Sequence, residues 1–185
     1  GANVSNINGL LNGSGSGAIY LLNKNGIVVG AQGVPSNAVR GWVKRIQDQL
    51  NIPLYFFGDL DAYTMQNIFR TLKAGSAASL IRNSDFSVPN VRFLGVLPED
   101  VQKYDLQDYK VNEKDPVEAR ALKKSRDALT NDPFFRDKRN EGLAEILHWL
   151  SSNKRRCEQQ ALYAVAPRDP LIAEKIIIEK INSGN

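Results

Sequence analysis

Cysteine is nearly absent: Cys157 is the only one in 185 residues. A lone thiol forms no internal disulfide and rules out a cysteine-built metal site; the default setting that follows is a reducing, cytoplasmic one. Histidine is equally scarce. His148 sits between Leu147 and Trp149 with no partner motif, and it reads as structural, as do Cys157, Trp42 and Trp149. No run approaches the ~18 to 20 apolar residues needed to span a bilayer, and no basic, apolar, small-residue leader opens the sequence, so no membrane partner is expected. Nor is either charge in large excess: 24 Lys and Arg against 20 Asp and Glu leave a net charge of +4 and a pI near 9.2. That balance leans only gently towards polyanionic partners, so the distribution of charge matters more than its total.

What remains is the composition of an ordinary globular protein, long enough for one well-buried domain or one domain with an appendage. Its most informative stretch is Ile52-Pro53-Leu54-Tyr55-Phe56-Phe57-Gly58-Asp59-Leu60-Asp61. A short run rich in β-branched and aromatic residues reads as a strand buried on both faces. Side chains alternate along a strand, so Asp59 and Asp61 emerge on one side, roughly 6.5 to 7 Å apart at about 3.3 Å of rise per residue. Two carboxylates this close repel unless a cation lies beside them. Hard oxygen ligands suit Mg²⁺, which takes one or two carboxylates and completes its octahedron with water and phosphate. The sequence turns helical directly after Asp61, placing the pair at the carboxyl end of a strand, where open α/β sheets hold ligands. The same pattern also describes a helix N-cap, with Asp61 accepting backbone N–H groups and Asp59 merely solvated. The stretch alone leaves both readings open.

Around this centre the pattern alternates. Val4, Ile7, Leu10 and Leu11 recur at helical spacing, and residues 12–17 form a Gly/Ser-rich segment. That segment lacks the Lys and Ser/Thr of a P-loop and reads as a mobile connection or an added linker. Ile27 to Gly30 reads as a strand, with a glycine turn to Gly33. Pro35 and Ser36 open a helix whose Val39, Trp42, Val43, Ile46 and Leu50 form one apolar stripe. After the central strand comes a second helix with Met65, Ile68, Phe69 and Leu72 inward and Gly75 as its C-cap. Val91 to Val96 supplies a third strand. Strands and helices alternating at these spacings imply parallel βαβ units and a helix-covered sheet. Beyond about residue 98 the character changes: 105–118 reads as a polar surface excursion, followed by helices near 116–129, 140–151, 154–164 and 169–182. The expected division is an α/β core over 1–104 and a mainly helical extension over 105–185 packed on it.

Five landmarks, in order, resemble the Toprim domain of the A subunit of type IIB DNA topoisomerase (topoisomerase VI) and of the related meiotic double-strand-break protein. They are Ile27–Arg45 (strand, glycine turn and basic helix), Pro53–Asp61 ending in Asp-x-Asp, Lys73-Ala74-Gly75-Ser76, Val88–Val96, and Glu158-Gln159-Gln160-Ala161-Leu162. The resemblance implies a Toprim-type, Rossmann-like, mostly parallel sheet flanked by helices. It implies that Asp59 and Asp61 bind Mg²⁺, which helps position and neutralise the scissile phosphate while a tyrosine attacks and forms a 5′-phosphotyrosyl link. It further implies double-stranded DNA as substrate, a homodimer of this polypeptide, a partner B subunit that hydrolyses ATP, and a nucleoid-associated or, in a eukaryote, nuclear location.

The departures from the family pattern carry their own expectations. The family continues Asp-x-Asp with Pro, an aromatic and Gly, where this chain has Ala62-Tyr63-Thr64. Its catalytic Glu ends a first strand that would fall just before Gly1, and its nucleophilic tyrosine belongs to a preceding winged-helix domain. None of Tyr20, Tyr55, Tyr63, Tyr104, Tyr109 or Tyr163 is assigned that role, and the isolated fragment is expected to be inert. Arg40, with Lys44 on the same helix, and the dense cluster Lys154, Arg155 and Arg156 are candidate DNA-phosphate contacts, although a solvated helix face also explains them. Two other functions compete. A non-catalytic Toprim-like scaffold would bind DNA or a partner without cleaving. A haloacid-dehalogenase-type phosphohydrolase would use the first acid as nucleophile, but it expects Thr or Val where Tyr63 stands.

Overall fold

The computed structural model describes residues 29–30, 33–75 and 85–183. The expected helix over Val4–Leu11, the Gly/Ser segment and Ile27 and Val28 of the expected strand lie outside the described residues, and Val29 and Gly30 belong to no regular element. Helix α1 (Asn37–Leu50) starts where Ser36 Oγ accepts the Val39 N–H at 3.3 Å, and it stops at Asn51, which adopts the left-handed conformation with φ of 48°. Its stripe is less deeply covered than the spacing predicts: Val39, Val43 and Ile46 are half-buried, whereas Trp42 and Leu50 are exposed and Arg40 is buried.

Strand β1 (Tyr55–Phe56) pairs in parallel with β2 (Arg92–Phe93), Tyr55 opposite Arg92 and Phe56 opposite Phe93. The ladder runs past both ends of the named strands. Arg92 N–H donates to Leu54 O at 3.0 Å, Leu94 N–H to Phe56 O at 2.8 Å and Val96 N–H to Gly58 O at 3.2 Å. The two backbones approach so closely where they leave the sheet that a Cβ on Gly95 would lie 2.2 Å from the Gly58 carbonyl oxygen. Glycine is therefore required there for steric reasons. Between the strands runs α2, a π-helical segment (Thr64–Phe69) that continues as an α-helix (Arg70–Ala74) and is closed by Gly75 at φ of 84°. In the π-turn the Arg70 N–H reaches back five residues to Met65 O. Phe56, Phe69 and Phe93 pack ring to ring with centroids 5.4 to 6.0 Å apart, fastening β1, α2 and β2 together.

The second half of the chain adds α3 (Pro98–Lys103), β3 (Tyr109–Lys110), α4 (Pro116–Asn131), α5 (Pro133–Arg136), α6 (Glu141–Asn153), β4 (Arg155–Arg156), α7 (Ala161–Val165) and α8 (Ile172–Ser183). α4, α6 and α8 fall where their periodicity predicts. The helix expected over 154–164 is corrected. Lys154 adopts a left-handed conformation that ends α6, Arg155 and Arg156 pair antiparallel with Lys110 and Tyr109, and helix resumes only at Ala161. Helix-compatible composition yields here to a strand partner supplied by the 105–118 excursion. α3 has no counterpart among the expected helices. It starts at Pro98 in the first helical position, and Asp100 Oδ2 accepts the Leu97 N–H at 2.7 Å.

Both halves share one core. Leu60, Phe69, Val91 and Val96 from the sheet side cluster with Leu147, Leu162 and Ile176 from the later helices. α8 is also pinned by a buried ion pair: Lys180 Nζ donates to Asp100 Oδ2 and to Gly95 O, with both side chains less than a tenth exposed. On the α2 side, Arg70 Nε meets Asp132 at 2.7 Å and Gln66 Nε2 donates to Ser125 Oγ at 2.8 Å, docking α4 and α5 against the helix that follows the acid pair.

Candidate metal centre

β1 leaves the sheet at Gly58 and delivers Asp59, Leu60 and Asp61. Leu60 is fully buried, and its N–H and C=O exchange hydrogen bonds with Cys157 at 2.9 and 3.0 Å. Because that residue faces the core, its two neighbours project outward, and both carboxylates are half-buried. Each is oriented by a main-chain donor. Asp59 Oδ1 accepts the Gln159 N–H at 2.8 Å, and Asp61 Oδ1 accepts the Thr64 N–H at 2.6 Å. The second bond caps the helical turn that opens at Ala62 and runs on into α2, so Asp61 does act as a cap. A carboxylate has two oxygens and about four acceptor sites, so neither bond exhausts its acid.

The Asp61 carboxyl is raised above its ordinary pKa, first by burial; the Thr64 N–H opposes that shift and the Asp59 charge reinforces it. Beneath the pair, burial and then the surrounding acids Asp108, Asp59, Asp100 and Glu158 push the Cys157 thiol up to about 12, so it stays protonated and unreactive. Among the described residues, no group of three His, Cys, Asp or Glu side chains is assembled for metal binding. The donor set is thus two carboxylates at a strand end, each keeping acceptor capacity. It fits a hard cation that draws its remaining ligands from water or phosphate, as Mg²⁺ does.

The candidate phosphate contacts are engaged by neighbouring protein groups. Arg40 is buried on α1, donating to Thr71 O at 3.2 Å and Asn37 Oδ1 at 2.5 Å, with its guanidinium 6.0 Å from the centroid of the Phe86 ring. Lys44 pairs with Asp48 one turn on, at 2.9 Å. Lys154 meets Glu113 at 2.7 Å, Arg155 meets Asp108, and Arg156 meets Glu118 at 3.4 Å. The three cations of the cluster brace β4 against the 108–118 segment, and each has a carboxylate counter-ion. Two contributors to the acid pair have no motif of their own in the sequence. They are the main-chain N–H groups of Thr64 and Gln159, the second lying inside the Glu158–Leu162 landmark.

The family model for the Toprim domain of Spo11 and the topoisomerase 6 A subunit matches residues 18–181. The chain belongs to that family. Its α/β architecture, with a parallel strand pair flanked by helices, is accordingly of Toprim type. Among curated relatives, the type 2 DNA topoisomerase 6 A subunit of Methanocaldococcus jannaschii is 38% identical over 112 residues, which are 60% of this chain and 29% of the relative. The protein of the same name from Archaeoglobus fulgidus is 32% identical over 136 residues, 74% of this chain and 35% of the relative. The DNA topoisomerase 6 A subunit of Arabidopsis thaliana is 28% identical over 136 residues, 74% of this chain and 30% of the relative. The Toprim region matched here therefore spans only about a third of these relatives.

Proposed function

We propose that Asp59 and Asp61 hold Mg²⁺ and that the intact protein is a topoisomerase 6 A subunit whose Toprim site serves transient double-strand DNA cleavage and rejoining. The observation that carries this reading is the pair itself: two carboxylates at the mouth of a parallel ladder, Asp59 aimed by the Gln159 N–H and Asp61 held by the Thr64 N–H with further hydrogen bonds from the Thr64 side chain and the Tyr63 N–H. The cation would supply charge neutralisation at the scissile phosphate. The chain's own residues do the rest. Leu60 is anchored in the core, fixing the separation of the acids, and Thr64 and Gln159 orient them. The attacking tyrosine comes from outside this chain, which alone is inert on DNA. In the intact assembly two copies of the protein work together on duplex DNA, coupled to a B subunit that hydrolyses ATP.

The test is Mg²⁺-dependent cleavage by the full-length protein in complex with that ATPase. Asp59→Asn and Asp61→Asn each abolish strand breakage while leaving the protein folded. Cleavage that survives both substitutions together with complete chelation of divalent cations sinks the assignment.

A further inference from the structure

We infer that the Cys157–Gln159 strap is a positioning element of the acid pair, with the Gln159 main-chain N–H orienting the Asp59 carboxylate for its cation. The inference rests on the metal reading above and extends it to a segment 100 residues away in sequence.

Three observations carry it. The first is the bond itself. At 2.8 Å the Gln159 N–H lies at charge-assisted distance from Asp59 Oδ1, and it removes the freedom of a side chain that otherwise samples several rotamers. The second is that the donor is held rigidly from both sides. Upstream, Cys157 is fully buried, exchanges both of its main-chain bonds with Leu60, and donates its S–H to Gln107 O at 3.4 Å. Downstream, Gln159 O accepts the N–H of Leu162, which is itself buried. The strap thus grips both the residue between the two acids and one of the acids. The third is the matching arrangement at Asp61, where another main-chain N–H, that of Thr64, holds one oxygen. Ligating carboxylates are commonly oriented by such hydrogen bonds, and losing one typically weakens metal affinity roughly 10- to 100-fold.

The experiment is an Mg²⁺ titration of this chain followed by amide NMR, comparing wild type, Gln159→Ala, which keeps the N–H, and Gln159→Pro, which removes it. In wild type the Gln159 amide resonance shifts with Mg²⁺ in step with residues 58–64. Gln159→Ala binds as wild type does, and Gln159→Pro binds roughly 10- to 100-fold more weakly. Equal affinity in a folded Gln159→Pro variant overturns the inference and leaves the metal reading standing. If the proline variant does not fold, the wild-type Gln159 amide decides: a resonance that stays still while residues 58–64 saturate also overturns the inference. A wild-type chain that shows no saturable response overturns the metal reading beneath it.

Discussion

Asp61 has a capping role that the structure shows and a ligand role that we propose, and their losses can be separated. As a cap it holds the Thr64 N–H; as the proposed ligand it would share in binding the cation. Asp61→Ala removes both and lowers stability to urea by about 1 kcal/mol, the usual worth of a cap, whereas Asp61→Asn keeps the cap and costs little. Both variants lose Mg²⁺ binding. A second residue-scale prediction concerns Asp108, whose carboxyl is held below its ordinary pKa by the hydrogen bond from Arg155. A carboxyl with a depressed folded-state pKa stabilises the protein above its unfolded value, and that stabilisation fades as pH falls through the folded one. Wild type is therefore more stable than Asp108→Asn near neutral pH, and urea unfolding in strongly acidic buffer shows the difference gone. The acid pair was legible in the sequence because an i, i+2 spacing at the end of an apolar run is a side-chain pattern. The donors that orient it were not, because a main-chain N–H belongs to every residue except proline and leaves no mark until the fold brings it into place. The basic cluster was read two ways, as a phosphate contact or a solvated face, and its counter-ions were not legible: Glu113, Asp108 and Glu118 lie far enough away in sequence that no spacing rule pairs them with Lys154, Arg155 and Arg156.

Elements with a long period were readable, and those built from one or two pairings were not. α1 and α4 announce themselves through caps and periodicity, Ser36 and Asp115 each accepting a backbone N–H at the helix start. β3 and β4 are two residues long, too short to show alternation, and each exists only because the other lies beside it. The same pairing turned a stretch that reads as helix into the strap that reaches Asp59. The glycines at the sheet exit yield the prediction for this scale. Gly95→Ala places a methyl against the Gly58 carbonyl and forces β1 and β2 apart. The expected cost is roughly 3 kcal/mol, at the upper end for overpacking, measured by urea unfolding. The disturbance also reaches Asp59, so amide shifts at residues 58–61 accompany the loss of stability.

At the scale of the whole molecule, the late helices belong to the same core as the sheet: Leu147, Leu162 and Ile176 cluster with Leu60, and Lys180 on α8 bonds to the Gly95 carbonyl at the strand exit. The helices that dominate the second half were visible in the change of pattern beyond about residue 98, whereas the β3–β4 pair among them was not. The bond from α8 to the Gly95 carbonyl and the bond from Gln159 to Asp59 were not visible either, since they join residues 85 and 100 positions apart. The Toprim assignment rests on the family match over residues 18–181, and the central chemical claim rests on Asp59 and Asp61. The measurement that tests that claim most directly is titration of the chain with Mg²⁺ and Mn²⁺, read residue by residue by NMR beside Asp59→Asn and Asp61→Asn. The account predicts saturable shifts, and Mn²⁺ broadening, centred on residues 58–64 and lost in both variants. Shifts that persist unchanged in the variants, or a wild-type chain that never saturates, would contradict it.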